Sequence, residues 1–177
     1  MKRFSSLLAL SGAVALAVLG GRALVAADKA TVQVPGGLAM AEFKGYEDWS
    51  VVATSETNEL MKVMVANPAM IAAYKAGIPL NGQPFPEGAT IVKIEWTKKK
   101  NLEAPFDVQI PNTLKDVLFI TKDSKRFAAS AGWGYAQFNH DAASGSFSPE
   151  GTGSDCGHAC HTIVKAKDYI FTAYGKR

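Results

Sequence analysis

The sequence lacks a surplus of charge of either sign once its N-terminus is set aside. The full chain has 19 basic and 16 acidic residues, but Lys2, Arg3 and Arg22 fall in its first 27 residues, which contain no acid. The remainder therefore carries 16 residues of each sign. Interfaces with nucleic acid or an anionic membrane need a basic surplus on one face, so the composition argues against both partners. The lysine run at residues 98–100 is predicted to be a solvated loop.

The sequence also lacks any long apolar run other than the one at its N-terminus. After MKR, residues 7–19 are apolar, and small residues follow at Ala26 and Ala27. This layout is typical of a secretory signal peptide cleaved near Ala27, and the run is short for a membrane anchor. We therefore predict a signal peptide over residues 1–27 and one soluble, periplasmic domain over residues 28–177, in a compartment that oxidises free thiols.

The predicted domain has no internal repeat and one clear helical segment. Short apolar or alternating runs predict strands at residues 49–53, 60–66, 89–96, 117–121, 133–138 and 169–174. One helix is predicted from Pro68, with Asn67 as its N-cap and Gly77 as its stop. Residues 78–88 contain three prolines and two glycines and are predicted to be a loop. The pattern favours an α+β fold, a predominantly antiparallel β-sheet with a few packed helices.

Both cysteines and two of the three histidines lie in SDCGHACHTIV, residues 154–164. Attachment of haem c requires two thiols and a histidine directly after the second one, and Cys160 followed by His161 supplies that second half. Three residues, instead of the usual two, separate Cys156 from Cys160. We expect a one-residue bulge at residues 157–159 that still lets both thiols reach one haem.

Other chemistries remain open for this stretch. The two cysteines could form a disulfide in an oxidising compartment, although a disulfide gives no role to His161. The four Cys and His side chains lie too close together along the chain to surround a zinc ion tetrahedrally, which disfavours a zinc site. His158 is expected to face solvent within the bulge, and His140 to lie in a loop. No methionine follows the cysteines, which disfavours a cytochrome with a distal methionine in the usual C-terminal place.

The chain resembles the cytochrome P-460 family, which includes the cytochromes c′-beta. The resemblance is carried by YEDWSVV (46–52), NPAMIAAYKAG (67–77), FPEGATIVK (85–93), KDSKRFAASAGWGYAQF (122–138) and CGHACH with DYIFT (156–172). It implies an α+β fold, a homodimer, and one covalent, five-coordinate haem c with its distal side open to small molecules. His161 matches the axial iron ligand of the family, and Cys156 and Cys160 match the thioether cysteines.

The resemblance also implies roles outside the cysteine motif. In P-460 members a strand lysine is bonded to the porphyrin, and Lys93 stands at that place. By periodicity alone, Lys93 is a charged residue beside Glu95 on the polar face of a half-exposed strand. Active members carry an acidic residue before the cysteines that helps to deprotonate the substrate, and Glu150 and Asp155 are the candidates for this base.

Two functions are compatible with the resemblance. In the first, hydroxylamine binds the iron, loses protons to a nearby carboxylate, and is oxidised toward nitric or nitrous oxide, with a periplasmic partner taking the electrons. In the second, the protein binds nitric oxide or carbon monoxide beneath an apolar cap, for which Phe85, Phe106 and Trp96 are candidates. An electron carrier without small-molecule chemistry is a third option.

A distal arginine of the family falls on Met61, beside Lys62, so its polar group has no direct counterpart.

Overall fold

The computed structural model describes residues 32–34, 37–150 and 154–176, with the backbone alone described at residues 154–156. The predicted signal peptide and its cleavage near Ala27 lie outside the described residues. Within the part that is described, none of the helices combines the length and the apolar composition that crossing a membrane requires.

The described chain forms a six-stranded sheet in which every strand pairs antiparallel with its sequence neighbours. The strands are β1 (Ser50–Glu56), β2 (Leu60–Ala66), β3 (Thr90–Lys100), β4 (Gln109–Lys122), β5 (Trp133–His140) and β6 (Phe147–Glu150). Two α-helices, α1 (Pro68–Lys75) and α2 (Ser154–His161), accompany it, with 3-10 turns at Met40–Phe43, Tyr46–Asp48, Ala128–Ser130 and Thr162–Lys167. The predicted α+β, mainly antiparallel fold is confirmed.

The helix α1 forms where its end signals place it. The Asn67 side chain accepts a hydrogen bond from the Met70 amide at 2.9 Å, Pro68 occupies the first turn, and Gly77 has a φ of 88°. A side-chain cap satisfies an amide that the first turn leaves without an intrahelical partner. Glycine adopts the left-handed conformation without the penalty that a Cβ brings.

Two parts of the strand prediction are corrected by backbone pairing. The lysine run at residues 98–100 is the end of β3, paired with residues 109–111 of β4, and not a loop. Ladder hydrogen bonds join backbone groups and tolerate exposed lysines, so a polar stretch can remain a strand when its partner is present. Residues 169–174 form no strand, because Asp168 and Tyr169 turn the chain with left-handed φ values of 47° and 64°.

Both faces of the sheet carry apolar clusters. One face, including Val92, Val117 and Phe119, packs against the N-terminal segment with its buried Leu38 and Phe43. The opposite face carries Ile91 and Tyr135 and packs against α1 and against Ile170 of the C-terminal tail (residues 168–176). Alternation along β3 places Lys93 and Glu95 on this second face, since successive side chains of a strand point to opposite sides. The helix α2 also packs there, against β5.

Candidate functional site

A cleft of about 800 Å³ lies on the second face of the sheet, bounded by α2 and the C-terminal tail. Its volume falls within the usual range of small-molecule and cofactor sites. Most of its wall is apolar, and the polar side chains that line it are Ser55, Lys62, Lys93, Tyr135, Gln137, Glu150, Cys160, His161 and Thr172. Four of these residues, Lys93, Glu150, Cys160 and His161, are site candidates from the sequence, and the fold brings them to one cavity.

The floor of the cleft is the second face of the sheet, which carries three neighbouring rows of cross-strand residues, about 7 Å apart along the strands. The apolar row contains Ala66, Ile91, Ile120 and Tyr135. The middle row contains Ala53, Met64, Lys93, Leu118, Gln137 and Glu150, and the charged row contains Ser55, Lys62, Glu95, Asp116 and Asn139. The floor therefore changes from apolar to charged, and Ser55 and Lys62 are the members of the charged row that line the cleft itself.

His161 lies at the apolar end of this floor, with its ring 5.0 Å from that of Tyr135 and 4.8 Å from that of Phe171. Its Nδ1 is 2.6 Å from the Tyr169 carbonyl oxygen. A carbonyl only accepts, so Nδ1 carries the proton and donates it, which leaves the lone pair on Nε2. Burial lowers the pKa of His161, outweighing the opposing effect of this hydrogen bond. The imidazole is thus neutral and suited to bind a metal.

The cysteine segment is an α-helix, not a bulge. The helix α2 runs from Ser154 to His161 without interruption, so positions 156 and 160 are one helical turn apart. Gly157 serves close packing instead of flexibility, because an added Cβ would collide with Cβ, Cγ and Cδ1 of Tyr135. The predicted bulge at residues 157–159 is therefore wrong; the extra residue completes a helical turn.

Cys160 is a free, exposed thiol that lines the cleft next to His161. The side chains of Cys156 and Asp155, both predicted site residues, lie outside the described part of the structure. Their backbone belongs to α2. His158 does not face solvent as expected, since its half-buried ring lies 5.0 Å from that of Tyr169 and 6.3 Å from that of Tyr135.

The charged end of the floor is held together by a shared carboxylate. Glu95 Oε1 lies 2.6 Å from Lys93 Nζ and 3.2 Å from Lys62 Nζ, and the Glu95 side chain is 7% exposed. Burial alone would raise the pKa of Glu95, but the two ammonium groups outweigh it and lower the pKa. Glu95 remains ionised, as a buried charge does when it has oppositely charged partners.

Asp116 is a buried carboxyl that sequence analysis missed. It lies directly across the β3–β4 ladder from Glu95 and is 9% exposed. Burial, reinforced by Glu95 and Glu150, raises the pKa of Asp116 to about 6 against the opposing charges of Lys93 and Lys115. The sequence gives no sign that Asp116 is buried, because the preceding Lys115 suggests an exposed stretch.

Glu150 occupies the last position of β6 and the exposed rim of the cleft. Gln137 on β5 donates its amide to Glu150 Oε2 at 3.1 Å. His140 is the last residue of β5, not a loop residue, and its Nδ1 is 3.3 Å from the Leu114 carbonyl oxygen. It is not among the residues that line the cleft.

The aromatic residues expected to cap the distal side lie elsewhere. Phe85 is 2% exposed and packs edge to face against Tyr74 and Trp133, while Phe106 is 76% exposed on the β3–β4 loop. Neither these two nor Trp96 is among the described residues lining the cleft. Met61, the expected position of the family arginine, is not among the described residues lining the cleft, whereas the adjacent Lys62 is.

The donor set and shape of this site fit a haem. One helix presents a free thiol and a neutral imidazole to a cavity with a mostly apolar wall, which is the combination that a covalently attached haem with a histidine ligand requires. The family model for cytochrome P460 matches residues 43–172. The chain therefore belongs to the cytochrome P460 family and is a haem-binding cytochrome, as the resemblance predicted. No curated protein sequence matches the chain.

Proposed function

We propose that the protein is an exported cytochrome with one haem c that oxidises hydroxylamine toward nitric or nitrous oxide. Cys156 and Cys160 would hold the haem through thioether bonds, and His161 would be the axial ligand of its iron. The observation that supports this most directly is that Lys93 and Glu150 line the same cleft as Cys160 and His161. Residues far apart in the sequence thus meet where the proposed chemistry needs them.

When bound, the haem would supply an iron that takes up the nitrogen of hydroxylamine and accepts its electrons. Contacts within the chain fix the orientation and the protonation state of His161, the proposed ligand of that iron. The hydrogen bond from His161 Nδ1 to the Tyr169 carbonyl fixes the tautomer, leaves the Nε2 lone pair for the iron, and increases the basicity of the ring. Tyr135 and Phe171 contact the imidazole and restrict its orientation.

Glu150 is the proposed base for the protons that leave hydroxylamine with its electrons. Its carboxylate is oriented by Gln137 and lies at the exposed rim, so a proton taken from the substrate can pass on to solvent. Buried Glu95 is less suited, since two lysines already neutralise it. Asp155 precedes the cysteines on α2 and is the second candidate for this base.

Lys93 is the proposed point of cross-linking to the porphyrin. It lies in the middle row, with the apolar residue Ile91 on one side and its partner Glu95 on the other. A side chain that is 35% exposed and lines the cleft can reach a group bound there. Distortion of the macrocycle is one of the ways in which a protein changes haem reactivity.

Two observations favour the other functions. The apolar wall, with Ile91, Leu118 and Ile120, would admit nitric oxide or carbon monoxide, as a gas-binding protein requires. Met64 also lines the cleft, and coordination of the iron by its sulfur would favour the electron-carrier function. Hydroxylamine oxidation is the better supported, because Lys62, Lys93 and Glu150 bring charged groups to the cleft, which the binding of an uncharged gas does not need.

The test of the proposed function is turnover by protein produced with a haem-attachment system. We expect hydroxylamine to reduce an added electron acceptor, and Glu150→Gln to lower kcat by about 100-fold or more, the usual contribution of a general base. Glu103→Gln, on an exposed loop, should leave kcat unchanged. If kcat survives in both Glu150→Gln and Asp155→Asn, the carboxylate base is refuted.

The same preparation distinguishes the alternatives. Nitric oxide binding without hydroxylamine turnover would support the gas-binding function, and a six-coordinate ferric haem that becomes five-coordinate in Met64→Leu would support the electron carrier.

A peptide containing residue 93 should carry haem after digestion, and Lys93→Met should abolish this while Lys115→Met, on the exposed side of β4, should not. Recovery of residue 93 as an unmodified peptide would refute the cross-link.

Export, a periplasmic electron acceptor and a homodimer complete the proposal. Export is supported by the signal-like residues 1–27, and the acceptor by the need to remove the electrons of the reaction. The homodimer rests on the resemblance to the family. N-terminal sequencing of secreted protein and light scattering of the purified protein test these two points separately.

A further inference from the structure

The C-terminal turn that follows α2 is tied to the sheet by one carboxylate. Asp168 Oδ2 accepts the Phe85 amide at 2.8 Å, and Asp168 Oδ1 accepts the Trp133 indole N–H at 3.3 Å. Lys122 Nζ lies 3.2 and 3.3 Å from the two oxygens, and it also donates to the Ala131 carbonyl at 3.2 Å. One side chain thus joins the turn to β4, to β5 and to the loop before β3.

This ion pair is largely removed from solvent. The Lys122 side chain is 8% exposed and the Asp168 side chain 14% exposed, with the Lys122 ammonium 4.8 Å from the centre of the Trp133 ring. Charge-assisted hydrogen bonds in such surroundings are stronger than those between neutral groups. Separating a buried ion pair leaves each charge without compensation, which costs free energy. The Lys122–Asp168 contact is therefore expected to stay in place.

The turn itself has a conformation that Tyr169 does not favour. Asp168 and Tyr169 both have positive φ, and a bulky residue such as Tyr169 rarely adopts it. Backbone of this kind persists only where the surroundings impose it. The Asp168 carboxylate makes four polar contacts that hold this turn against the sheet, and the buried side chain of Ile170 follows it.

The strained turn is also the element that orients the axial ligand. The carbonyl of Tyr169 is the acceptor for His161 Nδ1, one residue beyond Asp168. From these contacts we infer that Asp168, held by Lys122, is a positioning residue for His161. It acts through the Tyr169 carbonyl to set the direction and basicity of the imidazole. This inference rests on the proposed role of His161 as the iron ligand.

The inference is tested on haem-loaded protein by the iron–histidine stretching band in resonance Raman spectra and by the reduction potential. Asp168→Asn keeps a residue that tolerates positive φ but removes the charge, and Asp168→Ala removes every contact of the carboxylate. We expect the band to move to lower frequency and the potential to rise, more in Asp168→Ala than in Asp168→Asn. Displacement of His161 by nitric oxide should become easier by about tenfold, as when a ligand loses its orienting partner.

Lys122→Met tests whether the effect passes through the ion pair. It should move the band in the same direction as Asp168→Asn, and the double variant should show less than the sum of the two shifts, because both remove the same contact. Asn67→Ala is the matched control, since it loosens α1 by loss of a cap whose partners, Met70, Gly88 and Thr90, include neither Asp168 nor His161. Its unfolding free energy should fall while the band stays in place.

Three outcomes decide the inference. A lower band in Asp168→Asn and Lys122→Met, with no change in Asn67→Ala, supports it. Destabilised variants with an unchanged band and potential would show that Asp168 has only a structural role and would overturn the inference while leaving the proposed function intact. Wild-type protein whose haem is not ligated by His161 would overturn both.

Discussion

Gly157 and Tyr135 show how closely single residues determine the geometry of the cleft. The missing Cβ of Gly157 lets α2 lie directly on the Tyr135 ring, and the same ring contacts His161. A larger residue would push α2 away from β5 and displace the histidine with it. The interior of a protein is packed too densely to absorb such a change without a shift of backbone.

We therefore predict that Gly157→Ala destabilises the protein by about 1 to 3 kcal/mol, the usual effect of overpacking a well-filled site. The measurement is the free energy of unfolding in urea. Gly175→Ala is the control, because a Cβ at Gly175 would meet nothing within 4 Å. Equal stability of the two variants would show that α2 does not pack on Tyr135 as described.

The raised pKa of a single residue, Asp116, predicts that the stability of the protein depends on pH. Folding raises the pKa of this carboxyl from its ordinary 3.8 to about 6, mainly by burial, so the folded protein binds the proton more tightly than the unfolded chain does. The stabilising effect of the protonated group is fully present below the ordinary pKa and is lost as the pH rises through about 6. Asp116→Asn cannot ionise and escapes this loss.

The expected result is that the advantage in unfolding free energy of Asp116→Asn over wild type grows between about pH 4 and about pH 8. Urea unfolding at both pH values measures it. Asp107→Asn, on the exposed β3–β4 loop, is the control for loss of a surface carboxylate. An advantage that is constant or shrinks with rising pH would contradict the raised pKa.

At the scale of elements, local signals predicted α1 and β2 well, because their determinants lie within the segment. The Asn67 cap, Pro68 and Gly77 mark both ends of the helix, and β2 has the predicted bounds of residues 60–66. The β6 strand and the α2 helix were missed, since short polar stretches form these elements only when packed against β5. The tail at residues 169–174 has strand composition, but the turn at Asp168 directs it along the cleft instead.

The cap of α1 gives a prediction at this scale. Asn67 accepts from Met70 and also from the Thr90 amide, at 3.2 Å, and donates to the Gly88 carbonyl, at 2.8 Å. Asn67→Ala should lower the free energy of unfolding by about 1 to 2 kcal/mol, at the upper end of the range for caps. Asn58→Ala, in the exposed turn between β1 and β2, should change it by less than about 0.5 kcal/mol.

At the scale of the whole molecule, the sequence motif and the resemblance identified one half of the site and the fold supplied the other. Cys160, His161, Lys93 and Glu150 could be named from the sequence, but their meeting in one cleft depends on the pairing of β3, β5 and β6. Glu95 and Asp116 face each other only through the β3–β4 register, and no local pattern contains that information. The Tyr169 carbonyl could not be predicted, since a backbone acceptor has no residue signature.

The most direct test of the account is the mass of the denatured polypeptide after production with a haem-attachment system. Covalent haem c predicts a mass increased by one haem that survives denaturation. In a Lys93→Met background, which removes the proposed cross-link, it predicts loss of that species in the double variant Cys156→Ser and Cys160→Ser. A polypeptide without haem, with its mass lowered by the hydrogens lost in a disulfide between Cys156 and Cys160, would contradict it.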